Sequence, residues 1–472
     1  MGRSKYTKTE LFERVSIPRA LAAMGIPTII SQLINLIYNM VDAFFIGRTG
    51  NAYMTAATTV TLTLTMLNVA FSNLYGIGGG SLIARLMGQK RDAEGRKVSA
   101  YAVRGAIALG LGYSLTVGLF REPILRFLGA SGDTIGFAEQ YALFVIVIGS
   151  APTILSLTLA HLLRNTGHST QASFGLSMGG VLNMLLDPLF MFVILPRGQE
   201  VAGAAIATLI SNVCACGYLV FAYQRASGKA PLTLDVREAR GLAKELKSSL
   251  YAVGVPSAVL TGLFDAASVC VNKLAAAHDD LVLAAFGIVM KIERIPNAFN
   301  IGLSQGMMPI VAYNYAAGNR ERMRAAVRTA RNCGLIVSAI SILLLELFAR
   351  PAANLLLSTA GDKAVEAAAA VGLAAAFLRV RCLAAPVQLL NYHSSFTLQA
   401  VGRGGDTLLH ACVRELGIYI PLMLLLDRLF GQMGLAAALP AGEGLAAIFA
   451  LWLLHRALRE KKAAGAAAMP GD

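Results

Sequence analysis

The sequence predicts an all-α polytopic membrane protein, with about 12 transmembrane helices in two six-helix bundles. Three observations carry that expectation. Of 472 residues, 56% are hydrophobic and only 14% are charged, and the mean hydropathy is +0.60. That is too apolar for a soluble domain built on one core. Apolar segments recur along the chain, each reaching the ~20 residues a helix needs to cross a bilayer. The second half also repeats the first at a period near ~230 residues, the mark of a duplicated bundle.

The net charge of +14 would suggest a nucleic-acid partner in a soluble protein. In a chain this apolar it is explained by cytoplasmic loops that face anionic lipid, so lipid and not nucleic acid is the expected partner. The six cysteines form no CxxC pair, so neither a disulfide framework nor a zinc site is indicated. The polar, basic N-terminus lacks a small-residue cleavage site and does not read as a removable signal peptide.

Taken in order, residues 1–20 mix basic groups (Arg3, Lys5, Lys8, Arg14, Arg19) with a few apolar ones. This reads as a cytoplasmic amphipathic arm lying along the membrane surface. The N-terminal bundle, 21–223, holds spans at 21–46, 54–84, 99–120, 137–163, 171–195 and 202–223. A polar linker follows at 224–247. The C-terminal bundle, 248–458, holds spans at 248–273, 281–312, 327–348, 368–400, 406–430 and 434–458, before a cytoplasmic tail at 459–472. Lys and Arg cluster in alternate loops, such as Lys90–Lys97, Arg225–Lys247 and Arg320–Arg331, and are sparse in the others. The asymmetry places both termini in the cytoplasm.

The repeat pairs Pro27 with Pro256, Gly80 with Gly306, Gly88 with Gly318 after a small insertion, and Ala151-Pro152 with Ala385-Pro386. It also pairs Gly167 with Gly402, and Asp187-Pro188 with Ile420-Pro421. Six helices return the chain to its starting side. The halves therefore share orientation, related by a pseudo-two-fold along the membrane normal, an architecture of transporters.

The most informative stretch is GGVLNMLLDPLFMFVIL, 179–195. It spans a membrane yet holds a carboxylate, Asp187, where a bare charge costs at least ~2.5–3.5 kcal/mol. Asn183 lies one turn earlier on the same face. Pro188 frees the carbonyl of Met184 and kinks the helix. Two readings stand: a cation or proton site, or an acid that caps the backbone groups exposed by the kink. On the first span, Gln32, Asn35 and Asn39 form a polar stripe that lines a cleft or holds helices together. His161 and His393 read as core histidines ahead of proton relays, and GIGGG at 76–80 as close helix packing and not a phosphate loop.

These residues resemble one family. LINLIYNMVDAFFIG (33–47), GIGGGSLIARLMGQ (76–89), LRNTGHS (163–169) and LNMLLDPLFMF (182–192) carry the likeness, with GAAIATLIS (203–211) and GLSQGMMPIVAYNYAAGNR (302–320). The chain resembles a bacterial multidrug and toxic compound extrusion (MATE) transporter, most closely the DinF-like branch. The resemblance implies two bundles forming a V around a central cleft, and drug export driven by inward H+ or Na+. It implies a monomer in the prokaryotic plasma membrane, with small-molecule drugs or toxic metabolites as partners and no cofactor beyond the coupling ion.

In that branch the N-terminal bundle holds the ion site, and this chain matches it at Asp42, Asn183, Asp187 and Thr208. Counting ~1.5 Å per residue from the far span ends places Asp42 ~6 Å, Thr208 ~9 Å and Asp187 ~12 Å deep. The three can therefore meet, holding a proton on a carboxylate pair or Na+ between Asp42 and Asp187. Further cleft candidates are Asp265, Glu293 and Arg379. Asp265 reads as a drug contact or as packing, and Glu293 as a cleft acid or as one satisfied by Lys291 and Arg294. Arg379 and Arg381 face the cleft or snorkel outward. The alternatives are a lipid-linked oligosaccharide flippase of the same superfamily and, remotely, an intramembrane enzyme using His161 or His393. The chain is not expected to be an enzyme, since no nucleophile–base pair or metal spacing is present.

Overall fold

The structure is a computed structural model that describes residues 8–356 and 364–466. Among the described residues it is helical throughout, without strands.

A short arm helix, α1 (Lys8–Glu13), precedes the first bundle. That bundle consists of α2 (Ile17–Gly47), α3 (Ala52–Gly88), α4 (Asp92–Leu119), a short α5 (Arg121–Phe127), α6 (Ile135–Ala142), α7 (Ser150–Asn165), α8 (Ser169–Leu189) and α9 (Glu200–Ser227). The second contains α10 (Lys244–His278), α11 (Asp280–Ala316), α12 (Arg320–Leu356), α13 (Ala364–Arg381), α14 (Ala385–Ala400), α15 (Gly404–Cys412) and α16 (Ile420–Ala466). Backbone at Gly431 (φ 60°, ψ −144°) breaks α16 into two passes, where the sequence places a gap between spans. Six passes per half result, twelve in all. α6 with α7 makes one bent pass, while α13 with α14, and α15 with the first part of α16, each make a pass interrupted by a turn of another helix type.

Two spans expected as single helices are broken, and the repeat explains both. A π-turn at Leu143–Ile148 separates α6 from α7 with a 50° bend, and a 3-10 turn at Cys382–Ala384 separates α13 from α14. Pro152 and Pro386 stand just past these breaks. Each lacks the N–H that would continue the ladder, so the preceding turn loosens. The fifth and eleventh passes carry π-turns as well, at Phe190–Ile194 after Pro188 and at Val413–Tyr419 before Pro421. Gly203 on α9 packs against the first of these, where a Cβ would stand 2.8 Å from the Phe190 carbonyl.

One pairing in the repeat needs correcting. Gly318 turns the chain after α11 with φ +77°, and the residue in the same turn after α3 is Lys90, with φ +60°. Gly88 is a glycine for a different reason, because any Cβ there would run into the Tyr313 carbonyl oxygen. With Gly80 paired to Gly306, the second half reaches this turn two residues later.

The bundles meet along a seam of bare backbone. A Cβ on Gly78 (α3) would stand 2.6 Å from the Leu250 carbonyl on α10, and one on Gly306 (α11) 2.6 Å from Cα of Gly25 on α2. Gly254 (α10) meets the Leu74 carbonyl in the same way. Polar contacts reinforce the seam. Gln32 donates to Gln305 (3.1 Å), Asn73 to Thr261 (3.1 Å) and Arg85 to Ser249 (3.3 Å).

The arm also departs from expectation. Its apolar residues Leu11, Phe12 and Val15 are buried against protein, in a core shared with α11 and α12. Phe12 stacks on Tyr313 with centroids 5.2 Å apart. Arg322 on α12 donates to the carbonyls of Phe12 (2.6 Å) and Val15 (2.5 Å), and Asn314 on α11 to that of Phe12 (3.2 Å). These carbonyls end a two-turn helix that cannot satisfy them internally, so the arm reaches a lower free energy by docking. Lys90 of the other bundle donates to Glu13 (2.6 Å) and to the Tyr313 hydroxyl (3.0 Å). That contact holds the Glu13 carboxyl below its usual range and the Lys90 ammonium above its own. The linker is likewise packed. Arg96 grips Glu238 (2.7 and 2.9 Å), and Leu232 and Leu242 are buried beneath it.

Candidate cation site

Asp187 sits near the end of α8 and is fully buried, and Asn183 one turn before it is 3% exposed. The Asn183 side-chain amide donates to Asp187 Oδ1 (3.0 Å) and to Thr208 Oγ1 on α9 (3.2 Å). One NH2 group is thus shared between two helices, which fixes the amide with its oxygen turned away from both. Asp42, half-buried near the end of α2, lies close enough for its charge to act on Asp187. Small residues allow this approach. Gly180 on α8 leaves room for Ile34 and Tyr38 of α2, which would stand 3.2 Å from a Cβ.

Three oxygens of this group have no hydrogen-bond partner: Asp42 Oδ1, Asp187 Oδ2 and Asn183 Oδ1. All are acceptors only, and buried acceptors left alone are costly. An arrangement with two carboxylates, an amide oxygen and a hydroxyl, all hard oxygen donors, suits a proton or a small hard cation. Capping of the kink does not account for it, because the free oxygens belong to side chains on two helices.

The structure therefore brings together the four residues that the sequence grouped. It adds two that the sequence did not. Tyr38 and Tyr141 both feel the charges of Asp42 and Asp187, and Tyr141 lies beside Thr208. Tyr38 had a usable signal, since it stands four residues before Asp42 on the same helical face. Tyr141 had none, because it stands just ahead of a π-turn that the sequence does not reveal.

The cleft candidates separate. Gln32 bonds across the seam to Gln305, while Asn39 donates to the carbonyl (2.6 Å) and side chain (3.0 Å) of Asn35, both residues being exposed. Glu293 is neither a free cleft acid nor satisfied by its neighbours Lys291 and Arg294. It accepts two bonds from the buried Arg381 (2.9 and 2.7 Å). Arg381 therefore points inward and does not snorkel. Arg379 stands 3.7 Å from Glu346 on α12, exposed. Asp265 lies on α10, and its side chain is outside the described residues. His161 packs on Gly76 with Arg164 at 3.4 Å, and His393 is buried. Neither histidine stands beside a Ser, Cys or Asp arranged as a nucleophilic pair among the described hydrogen bonds.

A second buried polar group, unforeseen from sequence, occupies the C-terminal bundle. Arg414, in the π-turn of the eleventh pass, donates to Glu443 on α16 at 3.0 and 2.5 Å and covers the Tyr392 ring of α14 at 5.1 Å. Asn391 donates to Glu443 (2.6 Å) and accepts from His410 Nε2 (3.1 Å). The only sequence signal was three charged residues, Arg414, Glu415 and Glu443, inside two apolar spans.

Known proteins place this geometry. The chain is 28% identical over 449 residues to the multidrug export protein MepA of Staphylococcus saprophyticus, covering 94% of this chain and 95% of that one. Its fold superposes on the crystal structure of a MATE in complex with MaL6, with TM-score 0.89 at 22% identity, over 98% of this chain and 100% of that one. It superposes equally well, at 21% identity, on an outward-facing multidrug resistance MATE family transporter, again over 98% and 100%. The MatE family model matches residues 27–189 and 256–425, one block in each bundle. With both blocks in register with the structural repeat, the chain is a multi-pass membrane protein of the MatE family.

Proposed function

We propose that the chain is a secondary-active multidrug exporter, moving cationic or amphipathic organic compounds outward against an inward flow of H+ or Na+. The carrying observation is the pair of carboxylates, Asp187 buried and Asp42 half-buried, whose buried free oxygens face no cationic side chain among the described residues. A structural acid would be neutralised by the fold, as Glu293 and Glu443 are. An acid left open is available to a mobile cation.

Binding of a proton or Na+ removes the repulsion between Asp42 and Asp187. That changes how α2, which carries Pro27, packs on α8. Because α2 also forms the seam with α11, a change in its shape bears directly on how the two bundles close. The seam contacts lie in the half nearest the termini, so the opposite half is the side free to open. With the basic loops in the cytoplasm, this is an outward-open cleft in a plasma membrane, with both termini inside. Asn35 and Asn39, exposed on the same helix, are its first candidate drug contacts. The export reading fits better than a flippase for anionic cargo, because Arg379 and Arg381 stand beside Glu346 and Glu293 and do not form a cationic cavity.

The test is efflux of a cationic dye from proteoliposomes under an imposed pH gradient and, separately, a Na+ gradient. Export under one of them, reduced to background by Asp187→Asn while the protein still inserts, is the expected result. Dye retained under both gradients, or unchanged efflux in the variant, overturns the reading.

A further inference from the structure

Among the described residues, the buried cluster around Arg414 in the C-terminal bundle holds one more negative charge than its cation neutralises. Around Arg414 stand two carboxylates, Glu443 on α16 and Glu415 beside it in the π-turn, each about as buried as Arg414 itself. The guanidinium is committed to Glu443 through two short bonds. Glu415 receives only a 3.5 Å contact from the same Nε.

The other ionisable neighbours do not supply the missing positive charge. On α15, His410 is satisfied as a neutral ring. Asn391 spends its NH2 on Glu443, so its oxygen faces His410 Nε2, which must carry the hydrogen, and Nδ1 is left beside the Ser395 hydroxyl at 3.0 Å. Arg381 on α13 belongs to Glu293 on α11, and the two form a neutral pair that reaches the cluster only through the Tyr419 hydroxyl. Tyr392 on α14 lies under Arg414 as a ring partner. Among the described residues the tally is one guanidinium against two carboxylates, in a site that is almost wholly buried. An uncompensated buried carboxylate is far costlier than a neutral acid.

We infer that Glu415 is a second proton-binding site, separate from the Asp42–Asp187 site and built into the opposite bundle. The proton adds to a carboxylate oxygen of Glu415, the cluster becomes neutral, and the new O–H is a donor where the site otherwise offers Glu415 none. Glu443 keeps its two bonds from the guanidinium, so the added proton goes to the acid that Arg414 does not grip. The inference does not depend on the export reading, since it follows from charge and packing in the C-terminal bundle alone.

Infrared difference spectroscopy on the full chain in lipid nanodiscs, stepped in pH, tests it. The carbonyl stretch of a buried carboxylic acid is expected in the wild type. It should disappear in E415Q, shift in frequency in E415D, and persist in H410Q. Recording the series also in an Asp187→Asn background separates this band from that of the N-terminal site. A band that neither E415Q nor E415D alters overturns the proposal. So does a pH-dependent signal lost in H410Q, which would make His410 the protonated group. If E415Q does not accumulate, the E415D shift and the wild-type titration decide alone, and absence of an acid band in the wild type overturns the inference.

Discussion

In the N-terminal bundle, Asp187 accepts from the Asn183 amide and leaves one oxygen without a partner. In the C-terminal bundle, Glu443 faces a guanidinium that grips both of its oxygens. The bundles arise from one repeat and break at the same places, so the scaffold does not explain the contrast. What differs is which residues occupy the fifth and eleventh passes. Where α8 has Asp187-Pro188, the other half has Ile420-Pro421, and its charges sit one to two turns earlier, in the π-turn, beside an arginine. One duplicated frame thus holds an open acid site on one side and an almost closed ion cluster on the other. The two acids differ in whether the protein supplies the counter-charge, a guanidinium for Glu443 and none among the described residues for Asp187.

The comparison can be broken by treating equivalent acids alike. Glu443→Gln leaves Arg414 buried without its main partner and should cost ~3–5 kcal/mol, the usual penalty for removing half of a buried pair. The measurement is thermal unfolding in detergent. Asp187→Asn should cost little or even stabilise, because the Asn183 amide keeps an acceptor while an uncompensated charge disappears. Equal losses in the two variants would remove the distinction between the bundles. Replacing Arg414 and Glu443 together by apolar residues of similar volume should recover most of the stability.

A smaller effect sharpens how the bundles communicate. Gly254→Ala places a methyl against the Leu74 carbonyl, and overpacking of this kind costs ~1–3 kcal/mol. It should also part the seam near the termini, seen as a longer distance between spin labels on α3 and α10. An unchanged distance would mean that the seam is not what holds the bundles closed there.

The smallest effect concerns the arm. Glu13→Gln removes an exposed ion pair worth ~0–1 kcal/mol, read as modestly faster proteolysis or amide exchange in α1. The carboxyl is held below its normal range in the folded state, so its contribution is present above the unfolded-state pKa. It is lost as pH falls through the folded one. Wild type and variant should therefore converge in acid, whereas a difference that grows in acid would assign the latch to another group.

The sequence made the frame legible because apolar run lengths, basic-loop asymmetry and the repeat are independent signals that agree. The family resemblance named Asp42, Asn183, Asp187 and Thr208, and counting along the spans placed Asp42, Asp187 and Thr208 at similar depths, with Asn183 on the face of Asp187. Tyr141, the Glu293–Arg381 pair and the Arg414 cluster were not legible, since each depends on which faces of separate helices meet. The arm was misread for a related reason. Its apolar residues needed a surface to cover, and sequence offers no way to choose between lipid and the docking groove formed by Tyr313, Asn314 and Arg322. The breaks at Leu143–Ile148 and Cys382–Ala384 had only Pro152 and Pro386 to announce them, and a proline inside an apolar run fixes neither the angle nor the kind of turn.

The glycine seam has a mechanical meaning. Helices joined by interlocking side chains must withdraw each one from its socket before they can separate, and every withdrawal adds to the barrier. Between Gly78 and α10, and between Gly306 and Gly25, backbone rests on backbone with nothing to unthread. Such surfaces can part and rejoin many times without searching for rotamers, as a transport cycle requires. The join behaves less like a zip than like two polished faces, held by area and freed by a small tilt.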